Sequence, residues 1–239
     1  MTSSRPILVF DLDDTLYDEL SYVRSGLRAV AAFAAAETGF PEDRLVELLD
    51  QALAEDRSGV IDRAFARAGI GSRRLVNRCV GVYRTHTPEL SLHPAAERCL
   101  ERFSDHRTFL VTDGNTTAQG RKVAALGLDR RFEKVFLTYR YGHARSKPSP
   151  YCFEKIRALT GARACDVIYI ADNPSKDFVG LRPLGYGTIR VLTGQHAQRQ
   201  AAPGHDAQLT VPDLDALTRE RISRLHAELA HANVEELTP

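Results

Sequence analysis

Three carboxylates, Asp11, Asp13 and Asp14, directly follow the apolar run at 7–10. Alternate residues of an extended segment point the same way, so Asp11 and Asp13 are expected on one side of the chain. Carboxylates this close repel each other unless a cation shares the site, and Mg²⁺ prefers oxygen ligands. The cluster taken alone is equally typical of a metal site and of a solvated acidic turn or helix cap.

Two further candidate residues, Thr112 and Lys147, lie beside other predicted elements of the chain. Thr112 ends the apolar run at 108–112 and is followed by Asp113 and Gly114. A hydroxyl and turn amides in that place are suited to holding phosphoryl oxygens. Lys147 is one of five lysines against 27 arginines, and it stands just before a predicted helix. These residues predict an anion-binding group beside the carboxylates.

The last two candidate carboxylates follow the apolar run at 167–171. Asp172 comes directly after it and Asp177 five residues later. An isolated Asp-Asn-Pro at 172–174 would indicate only a turn. The four features nevertheless occur in one order, each at or near the end of a predicted strand. Together they supply metal ligands, a nucleophile, a hydroxyl and a cation, which favours a metal site over an acidic turn.

The elements that must position these residues are short and continuously apolar. Runs of four or five residues without alternation are typical of strands buried on both faces of a parallel sheet. Strands alternating with helices predict an α/β doubly wound layer, with the ligand crevice at the carboxyl ends of the strands. The predicted strands are 7–10, 108–112, 135–138, 167–171 and 188–192. The predicted helices are 116–126, 150–159, 175–184 and 214–229, with a loop at 193–206.

The stretch from about 20 to 84 has a different pattern. Apolar residues recur there at spacings of three and four, which predicts amphipathic helices, and no convincing strand interrupts them. We therefore expect an all-helical insertion between the first and second strands. The predicted organisation is an α/β core at 1–16 and 93–239 with a helical domain at 17–92.

The motif order resembles that of the haloacid dehalogenase-like (HAD) hydrolase superfamily. The family's DxDxT motif is similar to the sequence at 11–15, and its Ser or Thr and its Lys correspond to Thr112 and Lys147. Its GDxxxxD motif is similar to the sequence at 171–177, where Ala171 replaces the usual Gly. The resemblance implies a Rossmann-like core with an inserted helical cap of type 1. In the family, this cap and the loop after the first motif determine substrate specificity.

The resemblance also implies roles for the residues of the first motif. Asp11 corresponds to the nucleophile that attacks phosphorus and becomes an aspartyl-phosphate. Asp13 corresponds to the general acid that protonates the leaving oxygen and then, as a base, activates water. Thr15 is expected to help orient Asp13. Thr112 and Lys147 correspond to catalytic groups that bind phosphoryl oxygens, and we expect Asp113 and Gly114 to contribute to substrate binding.

The cofactor implied by the resemblance is Mg²⁺. Its expected ligands are Asp11, Asp13 through its backbone carbonyl, Asp172 and Asp177. Asp177 is expected either to bind the metal directly or to hold metal-bound water. The resemblance therefore implies a Mg²⁺-dependent phosphatase that hydrolyses a small phosphomonoester, such as a sugar phosphate or a nucleoside monophosphate.

The family also contains enzymes with other activities, and signalling domains of another class place similar residues around Mg²⁺. Dehalogenases of the family lack a carboxylate two positions after the nucleophile, so Asp13 argues against dehalogenation. Phosphonatases use a cap lysine, whereas 18–92 contains ten arginines and no lysine. A phosphomutase keeps all four motifs and stays open as an alternative. A phosphorylatable Mg²⁺-binding signalling domain is disfavoured by its smaller size and by the position of Asp11 at the first strand.

Composition narrows the partners of this 239-residue chain. The net charge is +1, which argues against bulk attraction to nucleic acid or an anionic membrane. The longest purely apolar run, 29–36, is far shorter than the roughly 20 residues that span a bilayer. The four cysteines have no CxxC spacing, which favours reduced thiols in a cytoplasmic protein. The expected partner is a small phosphate ester, with monomer and homodimer both left open.

Overall fold

The computed structural model describes residues 5–235, and its central feature is a parallel sheet of six strands in the order β3-β2-β1-β4-β5-β6. Every neighbouring pair runs parallel. This is the strand order of a doubly wound Rossmann-like sheet, with β1 beside β4 at the point where the order reverses. The strands are β1 Ile7–Phe10, β2 Thr108–Thr112, β3 Lys134–Leu137, β4 Val167–Ala171, β5 Gly187–Val191 and β6 Leu209–Val211.

The burial of the central strands explains their continuous apolar sequences. Every residue of β1, β4 and β5 is buried. A strand covered on both faces has no solvent face to fill with polar side chains, so alternation disappears. The predicted fold class, a doubly wound α/β core with an inserted all-helical domain, is confirmed by this architecture.

The helices lie between and after the strands. Their bounds are α1 Glu19–Thr38, α2 Glu42–Glu55, α3 Val60–Arg67, α4 Arg73–Thr85, α5 Pro94–Arg102, α6 Thr116–Ala125, α7 Tyr151–Thr160 and α8 Arg219–Glu235. None of the helices in the described range is both long and apolar enough to cross a membrane.

The chain divides into two compact units. One comprises the described chain up to Glu19, Ser91–Gln119 and the described chain from Leu126 onward, and the other comprises Leu20–Leu90 and Gly120–Ala125.

The second unit is helical and has its own apolar core. Residues of α1 to α4 form one buried cluster that includes Val30, Leu49 and Phe65. Ser72 begins α4 by accepting a hydrogen bond from the backbone of Leu75 at 3.2 Å, as a helix N-cap does. The spacing of three and four in the sequence is thus the spacing of side chains that face this core.

Three sequence predictions about elements need correction. The helix predicted at 175–184 is wrong, because this segment forms successive turns that end in a 3-10 turn at Arg182–Leu184. A Cβ on Gly180 would lie 1.8 Å from the carbonyl oxygen of Pro148, so these turns require glycine where they pass that segment. The last helix begins at Arg219 instead of 214, after Thr218, and the strand β6 was missed since it has only three residues.

Candidate active site

The carboxylates of the first and fourth motifs meet because β1 and β4 are neighbours. Phe10 is paired with Ile170, and the backbone amide of Asp11 donates to the carbonyl of Ile170 at 2.9 Å. Each strand therefore ends with an aspartate at the same edge of the sheet. Carboxylate oxygens of Asp11, Asp172 and Asp177 all lie within 4.8 Å of one another, and all three residues are buried.

Burial of this acidic cluster shifts its titration. Burial, opposed by Lys147, raises the pKa of Asp11 to about 6. Burial and then the charges of Asp11 and Asp177 raise the pKa of Asp172 to about 9. Buried carboxylates that repel each other in this way are the donor set that a hard divalent cation stabilises. The three carboxylates therefore fit a divalent metal ion on their donor chemistry and separation.

Lys147 lies within this cluster and its side chain is only 2% exposed. Its Nζ is 2.9 Å from Oδ1 of Asp11, 2.9 Å from Oδ1 of Asp177 and 2.9 Å from the hydroxyl of Tyr169. An ammonium group has three N–H donors, so these acceptors engage all of them. Burial by itself would lower the pKa of Lys147, but Asp11 and Asp177 outweigh it and hold this pKa well above its ordinary value. The predicted contact of Lys147 with a phosphoryl oxygen requires that this oxygen share or replace one of the three acceptors.

Asp177 is held on both carboxylate oxygens. Oδ1 accepts from Lys147 and, at 3.3 Å, from the hydroxyl of Tyr169, while Oδ2 accepts from the backbone amide of Asn173 at 3.0 Å. Burial and then the charges of Asp11 and Asp177 raise the pKa of Tyr169 well above its ordinary value, which keeps its hydroxyl protonated. The turn at 173–177 and β4 thus orient Asp177 toward Lys147.

The Asp13 carboxylate is not among the three that converge in the described residues, and other side chains hold it. Its Oδ1 accepts from the hydroxyl of Tyr17 at 2.5 Å, and its Oδ2 accepts from Nε2 of Gln119 at 2.8 Å. The predicted role of Thr15 in orienting Asp13 is not what the structure shows. Oγ1 of Thr15 is buried and has no hydrogen-bond partner among the described residues.

The second motif brings Thr112 to the same site. Oγ1 of Thr112 accepts from Nε2 of Gln119 at 2.6 Å, and the residue is 1% exposed. The Asp113 side chain points into the loops around it: Oδ1 accepts from Oγ1 of Thr138 at 2.6 Å and from the backbone amide of Lys147 at 3.2 Å. Asp113 therefore positions the loop that carries Lys147, while its backbone and Gly114 stay the predicted substrate-binding groups.

Asp14 is not one of the converging carboxylates, and its side chain instead binds backbone amides of two loops. Its φ of 54° lies in the left-handed region, which L residues rarely adopt. Oδ1 accepts from the backbone amide of Glu19 at 3.0 Å, and Oδ2 accepts from that of Gln195 at 3.0 Å. Asp14 thus joins the loop after β1 to the loop after β5.

An open cavity of 400 Å³ lies over these strand ends, within the α/β unit. This volume is in the range that small-molecule ligands occupy, about 300–1,000 Å³. Its walls combine predicted site residues with polar groups from the neighbouring loops. The lining residues are Asp11, Asp13, Asp14, Glu19, Thr112, Asp113, Gly114, Tyr139, Ser146, Lys147, Asp172, Asn173, Lys176, Gln195 and His196.

Sequence reasoning missed Tyr17, Gln119 and Tyr169, whose side chains contact predicted catalytic or metal-binding residues. Tyr169 lies inside an apolar run, where a tyrosine is typical of the core, and Gln119 lies in a helix without a motif. Tyr17 stands two positions after Thr15, outside the DxDxT motif. A polar side chain within an otherwise apolar run was the one available signal, and only Tyr169 carries it.

The fold and this site together define a Rossmann-like α/β protein whose first strand delivers an aspartate into a buried acidic cluster. The chain belongs to the haloacid dehalogenase-like hydrolase family, whose model matches residues 6–185. The predicted family is therefore confirmed, and the helical insertion is consistent with the predicted type 1 cap.

Individual relatives cover most of the chain. A glyceraldehyde 3-phosphate phosphatase of Methanopyrus kandleri is 26% identical over 219 residues, 87% of this chain and 91% of that protein. A glyceraldehyde 3-phosphate phosphatase of Methanocaldococcus jannaschii is 24% identical over 198 residues, 79% of this chain and 86% of that protein. A magnesium-bound putative HAD hydrolase of Bacillus subtilis has a TM-score of 0.62 at 18% identity, covering 89% of this chain and 96% of that one. The family match and the phosphatase relatives support the predicted phosphoric monoester hydrolase.

Proposed function

We propose that this protein is a Mg²⁺-dependent phosphatase that hydrolyses a small phosphomonoester through an aspartyl-phosphate on Asp11. The observation that carries the proposal is the convergence of Asp11, Asp172 and Asp177 within 4.8 Å of one another. Lys147 contacts two of these carboxylates at 2.9 Å, and Asp11 and Asp172 line the cavity described above. A nucleophile beside a cation-binding group is the arrangement that phosphoryl transfer needs.

The chain's own residues account for the bond changes. A carboxylate oxygen of Asp11 forms a bond to phosphorus while the ester P–O bond breaks, and the electron pair leaves with the ester oxygen. That oxygen takes a proton from Asp13. Asp13 then takes a proton from water as the water oxygen attacks phosphorus and the bond from Asp11 to phosphorus breaks.

The proposed metal site consists of Asp11, Asp172 and Asp177, with the backbone carbonyl of Asp13 as the further ligand implied by the family resemblance. Bound Mg²⁺ supplies Lewis-acid stabilisation of negative charge on phosphoryl oxygens. The raised pKa values of Asp11 and Asp172 support this assignment, because a bound cation offsets the burial and the repulsion that raise them.

The proposed substrate class is a small phosphomonoester such as a triose phosphate, another sugar phosphate or a nucleoside monophosphate. The phosphatase relatives named above support a triose phosphate, and a cavity of 400 Å³ suits a molecule of this size. We further propose that the helical unit is the cap of type 1. The four cysteines are free and buried, which supports the proposed cytoplasmic location.

The test is a phosphate-release assay of the full chain with Mg²⁺ on a panel of these esters, with glyceraldehyde 3-phosphate included. Asp11→Asn serves as the blank, because it keeps the shape of the side chain and removes the nucleophile. We expect wild type to release phosphate, EDTA to stop it, and acid-quenched wild type but not Asp11→Asn to carry a phosphoryl group by mass spectrometry. Isomerised ester without free phosphate would identify a mutase, and no turnover of any ester would overturn the proposal.

A further inference from the structure

Both oxygens of the Asp13 carboxyl group are held by buried side chains from different parts of the chain. The hydroxyl of Tyr17 is 2.5 Å from Oδ1, and Nε2 of Gln119 is 2.8 Å from Oδ2. Tyr17 is 0% exposed and Gln119 is 2% exposed. Buried side chains sit in fixed rotamers, so these two contacts set the plane of the carboxyl group.

Gln119 also connects Asp13 to Thr112. Its Nε2 lies 2.6 Å from Oγ1 of Thr112, so one amide nitrogen serves both residues with its two N–H groups. Because Oγ1 of Thr112 accepts this bond, the proton of the hydroxyl stays available for another acceptor. Gly114 leaves the room for this arrangement, since a Cβ there would lie 3.2 Å from Cγ and Cδ of Gln119.

The two contacts differ in what they permit. An amide nitrogen only donates, and the carbonyl-type oxygen of a carboxylic acid is the better acceptor, so Gln119 favours Oδ2 of Asp13 as the unprotonated oxygen. A phenol hydroxyl both donates and accepts, so it fits Oδ1 as a carboxylate oxygen and as the O–H of a carboxylic acid. The transferable proton of Asp13 therefore belongs on Oδ1, beside Tyr17.

We propose that Tyr17 and Gln119 are positioning residues for Asp13, which hold its carboxyl plane and place its transferable proton on Oδ1. This inference rests on the proposed phosphatase function. The proton passes from Oδ1 to the ester oxygen as the ester P–O bond breaks, and the later proton from water returns to the same atom. No further reactant takes part.

The test compares kcat/KM for two esters that share the phosphoenzyme but differ in leaving group. The value of kcat/KM reports the steps up to departure of the leaving group, where Asp13 acts as an acid. An alkyl phosphate such as glycerol phosphate needs that proton, whereas p-nitrophenyl phosphate releases a stable anion without it. For Tyr17→Phe and Gln119→Met we expect a loss of about 10- to 100-fold on the alkyl ester, as for a lost hydrogen bond to a charged group. The expected loss on the aryl ester is less than about threefold.

The matched control is Tyr186→Phe, which removes a phenol hydroxyl from a residue that is 1% exposed in the core of the sheet. It should leave the ratio of the two kcat/KM values unchanged. An equal loss on both esters for Tyr17→Phe and Gln119→Met, or no loss on either, would overturn the inference. Wild type that hydrolyses neither ester would instead overturn the proposed function, so the two failures are distinct.

A double-mutant cycle gives a second measurement, which distinguishes a positioning role of Tyr17 from a purely structural one. In an Asp13→Asn background the positioning residues have no proton to place. We therefore expect Tyr17→Phe to cause no further loss on the alkyl ester in that background. A full additional loss would show that Tyr17 acts independently of Asp13 and would contradict the inference.

Discussion

The hydroxyl of Tyr169 lies 2.9 Å from Nζ of Lys147 and completes the three acceptors of that buried ammonium group. The other two acceptors are carboxylates of the acidic cluster, Asp11 and Asp177, so the tyrosine supplies the one neutral partner. A neutral acceptor satisfies the third N–H without adding another negative charge to the cluster. Tyr169 therefore stabilises the buried ammonium group of Lys147 beside the two carboxylates.

We expect Tyr169→Phe to destabilise the protein by about 1–3 kcal/mol, because it leaves one N–H of a buried ammonium group without an acceptor. Urea denaturation of the full chain measures the change. Tyr186→Phe is the control, since Tyr186 belongs to the same core cluster and is equally buried. A loss of stability in the control as large as that of Tyr169→Phe would show that the contact with Lys147 is not its cause.

The contribution of Asp11 and Asp172 to the stability of the metal-free protein should decrease as pH rises. Burial raises the pKa of Asp11 from 3.8 to about 6 and that of Asp172 from 3.8 to about 9. A carboxyl group whose pKa is higher when folded stabilises the fold below 3.8, and this contribution is lost as pH rises through the folded value. We expect a decrease on the order of a few kcal/mol across this window, measured by urea denaturation in EDTA.

Two comparisons identify the groups responsible for that decrease. Asp172→Asn removes the carboxyl with the higher pKa, so its stability should depend less on pH than that of wild type in EDTA. Added Mg²⁺ should raise the stability of wild type at high pH and have little effect on Asp172→Asn. An equal pH dependence of stability for wild type and Asp172→Asn in EDTA would contradict the prediction.

Asp113 is expected to stabilise the protein through the hydrogen bonds that it accepts more than through its charge. Asp113→Ala removes the acceptor of the Thr138 hydroxyl and of the Lys147 backbone amide, and should cost about 1–3 kcal/mol. Asp113→Asn keeps an acceptor oxygen but loses the attraction to Lys147 and the partly exposed ion pair with Lys176 at 3.5 Å, and that ion pair is worth less than about 1 kcal/mol. Thermal or urea denaturation compares the two variants. Equal losses would show that the charge of Asp113 is the important property.

Gly194 is expected to resist substitution because of Asp14. Its φ is +63°, and a Cβ would lie 2.0 Å from Cγ of Asp14, whereas Gly204 has a φ of +78° and no atom within 4 Å. Gly204→Ala therefore measures backbone strain alone, about 1–2 kcal/mol. Gly194→Ala adds the clash and should cost about 1–3 kcal/mol more in the free energy of unfolding, with a loss of phosphatase activity. Similar values for the two variants would exclude the clash.

Some features of the fold follow from local sequence. The apolar runs of β1, β2 and β4 have the composition of buried parallel strands, and Asp11, Thr112 and Asp172 stand at or directly after their ends. Because parallel strands present their carboxyl ends at one edge, the order of the motifs predicts that these residues meet. The apolar spacing at 20–84 likewise predicts the helices that form there. The predicted helix at 175–184 is wrong, and the turns found there approach Pro148 at Gly180, a contact that local spacing does not encode.

The sequence by itself therefore determined the fold class, the family and the candidate reacting groups, because strand burial and motif order depend on neighbouring residues and on topology. The tertiary structure alone decided which side chains support those groups. Gln119 reaches Asp13 across 106 positions, and Tyr169 reaches Lys147 across 22. Such hydrogen bonds depend on the direction and rotamer of two packed side chains, and residue type and periodicity do not specify either.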